Sequence, residues 1–240
     1  MKVKACIFTD AGKKRSVNQD SSLIKVANSK ELGRISFIAV CDGMGGLSKG
    51  EVASCKVIRS LENWFHEELT MMQDLDESKI WEVAELSLSR LVARVSGEIR
   101  RYGKHRGISL GTTMTALLQI GNRYLLMNVG DSRIYFLNKR SITQVTSDQS
   151  VGNALTQCIG ASSVPRPEIL SGTIDRNTTV LACSDGFWRT LKSTEIFSSL
   201  CPQMCVTPED MLDQCRGLCK LAFERHELDN ITVAAMCLEY

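Results

Sequence analysis

The sequence predicts an α+β fold in which sheets stack on each other and helices lie outside. Three observations carry that expectation. Short β-branched or apolar runs recur in both halves of the 240 residues. Paired helical segments are inserted between them. No repeat, low-complexity stretch or linker divides the chain, so a single domain spanning 1–240 is expected.

The elements follow in order. Residues 2–9 alternate Val3, Ala5 and Ile7 with Lys4, Cys6 and Phe8, a strand pattern. A polar turn over 10–20 leads to a short apolar stretch at 23–26. Residues 35–41 form a buried-strand run that stops at Asp42-Gly43-Met44-Gly45-Gly46. Beyond the glycines, 51–69 has helical periodicity, with Val52, Cys55, Val57, Ile58, Leu61, Phe65 and Leu69 on one face. A second helix is expected over 78–101. Its acidic start (Asp76, Glu77) and basic end (Arg100, Arg101) suit the helix dipole. Runs at 112–120, 123–129, 133–137 and 142–146 read as strands separated by turn residues such as Gly121-Asn122 and Gly130-Asp131. A short element at 153–159 precedes strands near 168–172 and 179–183. Helices over 193–200 and 208–225 and a last strand at 231–238 complete the chain.

Composition excludes little and favours a plain globular protein. With 43% hydrophobic residues the chain can bury a substantial core. A net charge of +2 gives no footprint for nucleic acid. The basic clusters Lys13-Lys14-Arg15 and Arg100-Arg101-Tyr102-Gly103-Lys104-His105-Arg106 are local. No apolar run approaches the ~18 residues that span a bilayer, and the N-terminal apolar stretch is too short for a signal peptide. A cytoplasmic protein, without membrane or nucleic-acid partners and acting as a monomer, is therefore expected. Of ten cysteines, six lie in or beside apolar runs and read as buried thiols. The pairs Cys201/Cys205 and Cys215/Cys219 lack the tight C-x-x-C spacing of a zinc site.

Chemistry is suggested by four aspartates that share one context. Asp42, Asp131 and Asp185 end apolar runs, and Asp229 immediately precedes one. A carboxylate at the mouth of a buried strand is costly to desolvate unless paired or metal-bound. Each alone reads as a turn cap. Four together, if the strand ends converge, make an oxygen-rich cavity suited to hard divalent ions. Gly43, Gly45 and Gly46 allow a tight backbone path that lets a main-chain carbonyl approach an ion.

Six blocks then occur in order: Thr9-Asp10-x-Gly12-x-x-Arg15-x-x-Asn18-Gln19-Asp20, Val40-Cys-Asp42-Gly-Met-Gly-Gly46, Gly111-Thr-Thr113, Gly130-Asp-Ser-Arg133, Ser184-Asp-Gly186 and Asp229-Asn-Ile-Thr232. In this order they resemble the protein phosphatase 2C (PPM) family of metal-dependent serine/threonine phosphatases, in its compact bacterial form. The resemblance implies a central β-sandwich of two antiparallel sheets between pairs of helices, a four-layer αββα arrangement. It implies Mn²⁺ or Mg²⁺ as cofactor, two ions and a third, at one end of the sandwich. Asp42 would bridge two ions, the Gly43 carbonyl would bind one of them, and Asp185 and Asp229 would complete the other. Asp131, with Asp185, would hold the third. Asp20 would support metal-bound water, and Arg15 would grip the substrate phosphate, whose oxygens suit its planar fork. Arg15, Asp42 and Asp185 are thus the catalytic residues. The reaction implied is hydrolysis of phosphoserine and phosphothreonine by a hydroxide bridging the ions, opposing a bacterial serine/threonine kinase or acting on its targets. The alternative is a catalytically inactive, phosphatase-like binding module.

The sequence departs from the family at four places. Met44 stands where many members have a histidine, and methionine cannot donate a proton. Gln19 replaces a common glutamate, and Gln149 a usual histidine, with a role expected only in loop structure. The flap segment expected after Ser150 is missing, because only Val151 and Gly152 separate Ser150 from Asn153.

Overall fold

The architecture is that of a computed structural model describing residues 2–44, 49–152, 154–161 and 163–239, with the side chains of Leu69 and Glu77 outside the description. The expectations on Gly45, Gly46, Asn153 and those two side chains lie outside the described residues.

Strands β1 (Lys2–Asp10), β2 (Ser21–Ser29), β3 (Gly33–Cys41) and the short β4 (Gly43–Met44) lead into α1 (Gly50–Met72) and α2 (Glu77–Arg106). There follow β5 (Gly111–Thr112), β6 (Met114–Ile120), β7 (Arg123–Val129), β8 (Arg133–Leu137) and β9 (Ile142–Gln144). A tight hairpin, β10 (Ser150–Val151) with β11 (Ala154–Leu155), precedes β12 (Glu168–Thr173) and β13 (Thr178–Cys183). The chain ends with α3 (Asp185–Trp188), α4 (Ser193–Leu200), α5 (Pro208–Glu224) and β14 (Ile231–Glu239).

Two five-stranded antiparallel sheets, ordered β1-β14-β13-β8-β9 and β12-β7-β6-β3-β2, stack face to face. Period-2 alternation sends one set of each sheet's side chains into the shared interior. Ile38, Val40, Leu117 and Leu126 from one sheet meet Ile134, Val180, Ala182, Ala234 and Met236 from the other. The opposite faces pack on helices: Phe37, Ala39 and Leu118 against α1 and α2, and Leu181, Val233 and Ala235 against α4 and α5. This is the expected αββα layering. Cys205, Cys215 and Cys219 belong to the second helical layer and behave as core residues.

Boundaries differ where periodicity is a poor guide. Helix α2 runs past residue 101 to Arg106 and stops at Gly107, whose φ of +65° and N–H bonds to the carbonyls of Gly103 and Lys104 form the C-cap. Strand β2 covers nine residues because its outward side chains are polar and mask the pattern. Strand β9 ends at Gln144, where the Thr146 hydroxyl takes over as acceptor for the Ile134 N–H at 3.1 Å. Helix α3 has one turn and no period to detect. No helix among the described residues is long and apolar enough to cross a membrane.

Candidate metal centre

Strand direction brings the aspartates together. β3 pairs antiparallel with β6 and β6 with β7, so β3 and β7 run the same way and end at one edge of the sandwich. In the other sheet Cys183, the last residue of β13, pairs with Val233 near the start of β14, and Asp10 at the end of β1 pairs with Ile231. Residues following β3, β7 and β13, and those preceding β14, therefore share that edge. A hollow of about 290 Å³ opens there, lined by Asp42, Gly43, Asp131, Asp185, Asp229 and Arg15, with Gln19, Met44, Thr113, Leu155 and Arg189. Asp20 stands behind this lining and accepts a 2.8 Å hydrogen bond from the Ser184 hydroxyl.

The six blocks of the sequence are the fittings that hold these side chains. Both threonines of Gly111-Thr-Thr113 fix Asp42: the Thr112 hydroxyl and Thr113 N–H donate to the Asp42 carbonyl at 2.8 and 2.9 Å. The Asp42 N–H donates to the Thr113 hydroxyl at 2.8 Å, and that hydroxyl also meets Ser132 at 2.7 Å. Arg133 forms a bidentate pair with Asp148 at 2.9 and 2.7 Å and lies 3.3 Å over the Trp188 ring. Trp188 in turn donates to the Asp131 carbonyl at 3.1 Å. Gln149 exchanges hydrogen bonds with Gly130, its side chain accepting at 2.9 Å and its N–H donating at 3.0 Å, so the loop role expected for it holds.

Asn230 ties the 10–20 turn to the start of β14. Its amide donates to the carbonyls of Ala11 at 2.8 Å and Val17 at 3.3 Å, and its Oδ1 accepts from the Gln19 N–H at 2.9 Å. Gly12, at φ +72°, is pressed so closely on the Asp229 carbonyl that a Cβ would collide with it. Truncating the buried Asn230 to alanine leaves two carbonyls and one N–H without partners, which costs about 1–3 kcal/mol. Urea unfolding should show that loss, with a raised KM because Arg15 rides on the same turn. Unchanged stability and KM together would sink this account of the turn.

The electrostatics are those of crowded acids. Burial first, then the charges of Asp20, Asp185 and Asp229, push the Asp42 carboxyl well above the usual range. Protein closes around Asp42, although part of its surface still faces the hollow. Burial, with help from Asp185 and Asp229, raises Asp20 to about 7 against the bonds from Ser184 and Thr232. Asp131 is raised to about 6, again chiefly by burial. Asp185 is raised by burial while the Arg189 guanidinium opposes the shift.

Two arginines partly offset this charge. Arg15 donates from Nε to Asp229 at 3.1 Å, and Arg189 pairs with Asp185. Among the described residues, no three His, Cys, Asp or Glu side chains stand as a ready-made ion cage. The donor set nevertheless fits hard divalent cations: it is all oxygen, multiply acidic, and open at one side. Asp185 Oδ1 is buried without a hydrogen-bond partner, the kind of orphaned acceptor that an ion satisfies.

Sequence reasoning missed two contributors. Arg189 stands in no apolar run or ordered block, yet it faces the hollow from the C-cap of α3. Glu227, 5% exposed, accepts the N–H groups of Leu228 and Asp229 at 2.9 and 3.1 Å and lies 3.9 Å from Arg189. It sits in no apolar run, so nothing local marked it.

The comparisons agree with this architecture. A family profile described as Protein phosphatase 2C matches residues 10–216. Protein phosphatase PhpP of Streptococcus pneumoniae serotype 2 is 27% identical over 253 residues, covering 97% of this chain and 96% of that protein. Serine/threonine phosphatase stp of Listeria monocytogenes serotype 4b is 30% identical over 210 residues, covering 78% and 79% respectively. The catalytic domain of serine threonine protein phosphatase PstP, solved in complex with 2 manganese ions, matches at TM-score 0.78 and 25% identity over 99% of each chain. With the ordered blocks, the sandwich and a profile spanning most of its length in agreement, the chain belongs to the protein phosphatase 2C family.

Proposed function

We propose that the hollow hydrolyses phosphoserine and phosphothreonine in protein substrates, with Asp42, Gly43, Asp131, Asp185 and Asp229 as ligands of Mn²⁺ or Mg²⁺. As a family member the chain is a metal-dependent protein serine/threonine phosphatase. The observation that carries the assignment of residues is the convergence of four strand-end aspartates on one hollow of about 290 Å³. Two divalent ions there, and a third beside Asp131 and Asp185, would supply the positive charge that acidifies an attacking water and offsets charge on the phosphoryl oxygens.

The chain's own residues do the rest. Arg15 stands at the rim, and its guanidinium moves between Asp229 and a phosphate, for which its fork is matched. Asp20, set behind the hollow and bonded to Ser184, orients the water that attacks in line. A water oxygen–phosphorus bond forms, the bond from phosphorus to the serine or threonine oxygen breaks, and the leaving oxygen takes a proton. Met44 faces the hollow but offers no proton, so that proton comes from water. The physiological setting is reversal of a serine/threonine kinase, with the kinase or its targets as substrates.

Hydrolysis of a phosphothreonine peptide with and without a chelator tests this reading. Activity should vanish on chelation and return with Mn²⁺ or Mg²⁺, and Arg15→Ala should raise KM about tenfold or more. Activity that survives chelation would refute the metal assignment.

The short hairpin β10–β11 stands where the family resemblance would place a flap, and it brings Leu155 to the wall of the hollow. With this single catalytic domain lacking a flap, the mouth admits folded phosphoproteins as well as peptides. Comparable kcat/KM for a folded phosphoprotein and its phosphopeptide is the expected result. A strong preference for the peptide would count against the open mouth.

A further inference from the structure

A second and larger cavity, about 650 Å³, adjoins the acidic hollow across Met44, which lines both. Its charge is opposite. Arg100 and Lys104, four residues apart on the last turns of α2, line one side, and none of its described lining residues is acidic. The remaining wall is mostly apolar or bare backbone, with Ile108, Leu110, Cys158 and three glycines, and Ser109 as its one other polar side chain among the described residues. Gly111 and Gly160 have no room for a side chain: a Cβ at Gly111 would lie 2.9 Å from the Ile159 carbonyl oxygen, and at Gly160 2.8 Å from that of Leu110. The cavity offers another chain backbone and apolar side chains on one side and cations on the other. The basic run over 100–106, which the metal chemistry leaves unused, acquires a place beside the active site.

We propose that this cavity receives an acidic stretch of the phosphoprotein substrate, a few residues from the phosphorylated side chain seated in the hollow. The inference rests on the phosphatase reading above and names a substrate class for it: phosphoserine or phosphothreonine flanked by Asp or Glu. Two features favour that occupant. The cations of Arg100 and Lys104 complement carboxylates, whereas the aspartates of the neighbouring hollow repel them, so an acidic flank is drawn to one side only. The cavity also adjoins the catalytic hollow, with Met44 in the wall of both, and extended chain advances only about 3.3 Å per residue. A segment leaving the hollow past Met44 therefore enters the basic cavity at once.

The test uses the metal-loaded protein and three substrates: p-nitrophenyl phosphate, a phosphothreonine peptide with Asp and Glu on both flanks, and the same peptide with Asn and Gln. Wild type should favour the acidic peptide by about five- to tenfold in kcat/KM, a preference that shrinks at high salt. Exposed Lys104 can be changed without disturbing the core. Lys104→Glu should abolish the preference through KM, Lys104→Gln should weaken it, and both should hydrolyse p-nitrophenyl phosphate within about twofold of wild type. Equal rates on the two peptides with wild type, or a preference untouched by Lys104→Glu, would overturn the proposal. If wild type hydrolyses none of the three, the phosphatase reading itself fails and the substrate class falls with it.

Discussion

Asp42→Asn should reduce hydrolysis of a phosphothreonine peptide by roughly a thousandfold while leaving the fold at least as stable as wild type. Asp42 would hold divalent ions at the hollow, so its loss removes the positive charge that offsets charge at the reacting phosphorus. Its structural role is carried by its main chain, which Thr112 and Thr113 hold through three hydrogen bonds of 2.8, 2.9 and 2.8 Å. The side chain contributes repulsion instead, facing Asp20, Asp185 and Asp229. Asparagine keeps the shape and removes the charge. Thermal unfolding under chelation at pH 8 should therefore give an equal or higher Tm for the variant. A Tm several degrees lower would mean that the carboxylate is structural, and retention of more than about a tenth of the activity would remove it from the chemistry.

Under chelation, the wild-type Tm should fall as pH rises from 5 to 8, and added divalent ions should reverse the fall. Asp20 at about 7 and Asp131 at about 6 stand above unfolded values near 4. Between those limits the folded chain binds protons that the unfolded chain has lost. Stability from this source is complete below about pH 4 and is lost as pH rises through the folded values. For Asp20 alone it amounts to at most about 4 kcal/mol, or on the order of 10 °C for a chain of this size. Cations bind the deprotonated ligands, so their stabilising effect should grow over the same interval. A Tm that rises with pH under chelation would contradict the picture of a buried, proton-holding acid cluster.

The parts of the molecule that were legible in the sequence have local causes. The strands over 123–129 and 133–137 and the helix over 193–200 coincide with β7, β8 and α4 because period and turn residues bound them on both sides. Helix α3 was not visible: one turn, Asp185-Gly-Phe-Trp188, has no period to read. The extension of α2 had a signal in Gly107, but apolar spacing gave out before it.

The candidate site divides in the same way. Chemical type and flanking pattern singled out Asp42, Asp131, Asp185 and Asp229, because an acid ending an apolar run is conspicuous wherever it stands. The ordered blocks added Arg15, Asp20 and Gly43. What the blocks are for became visible only in three dimensions, where Gly111-Thr-Thr113 grips the Asp42 backbone and Arg133, Asp148 and Trp188 brace the Asp131 loop. Arg189, Glu227 and the basic cavity across Met44 depend on residues far apart in the chain and unremarkable where they stand. Sequence by itself determined the acids, the order of elements and the family resemblance, since these follow from residue type and local spacing. Tertiary structure alone decided which acids face one hollow, which arginines answer them, and what lies next door, because antiparallel register folds distant strand ends onto a single edge.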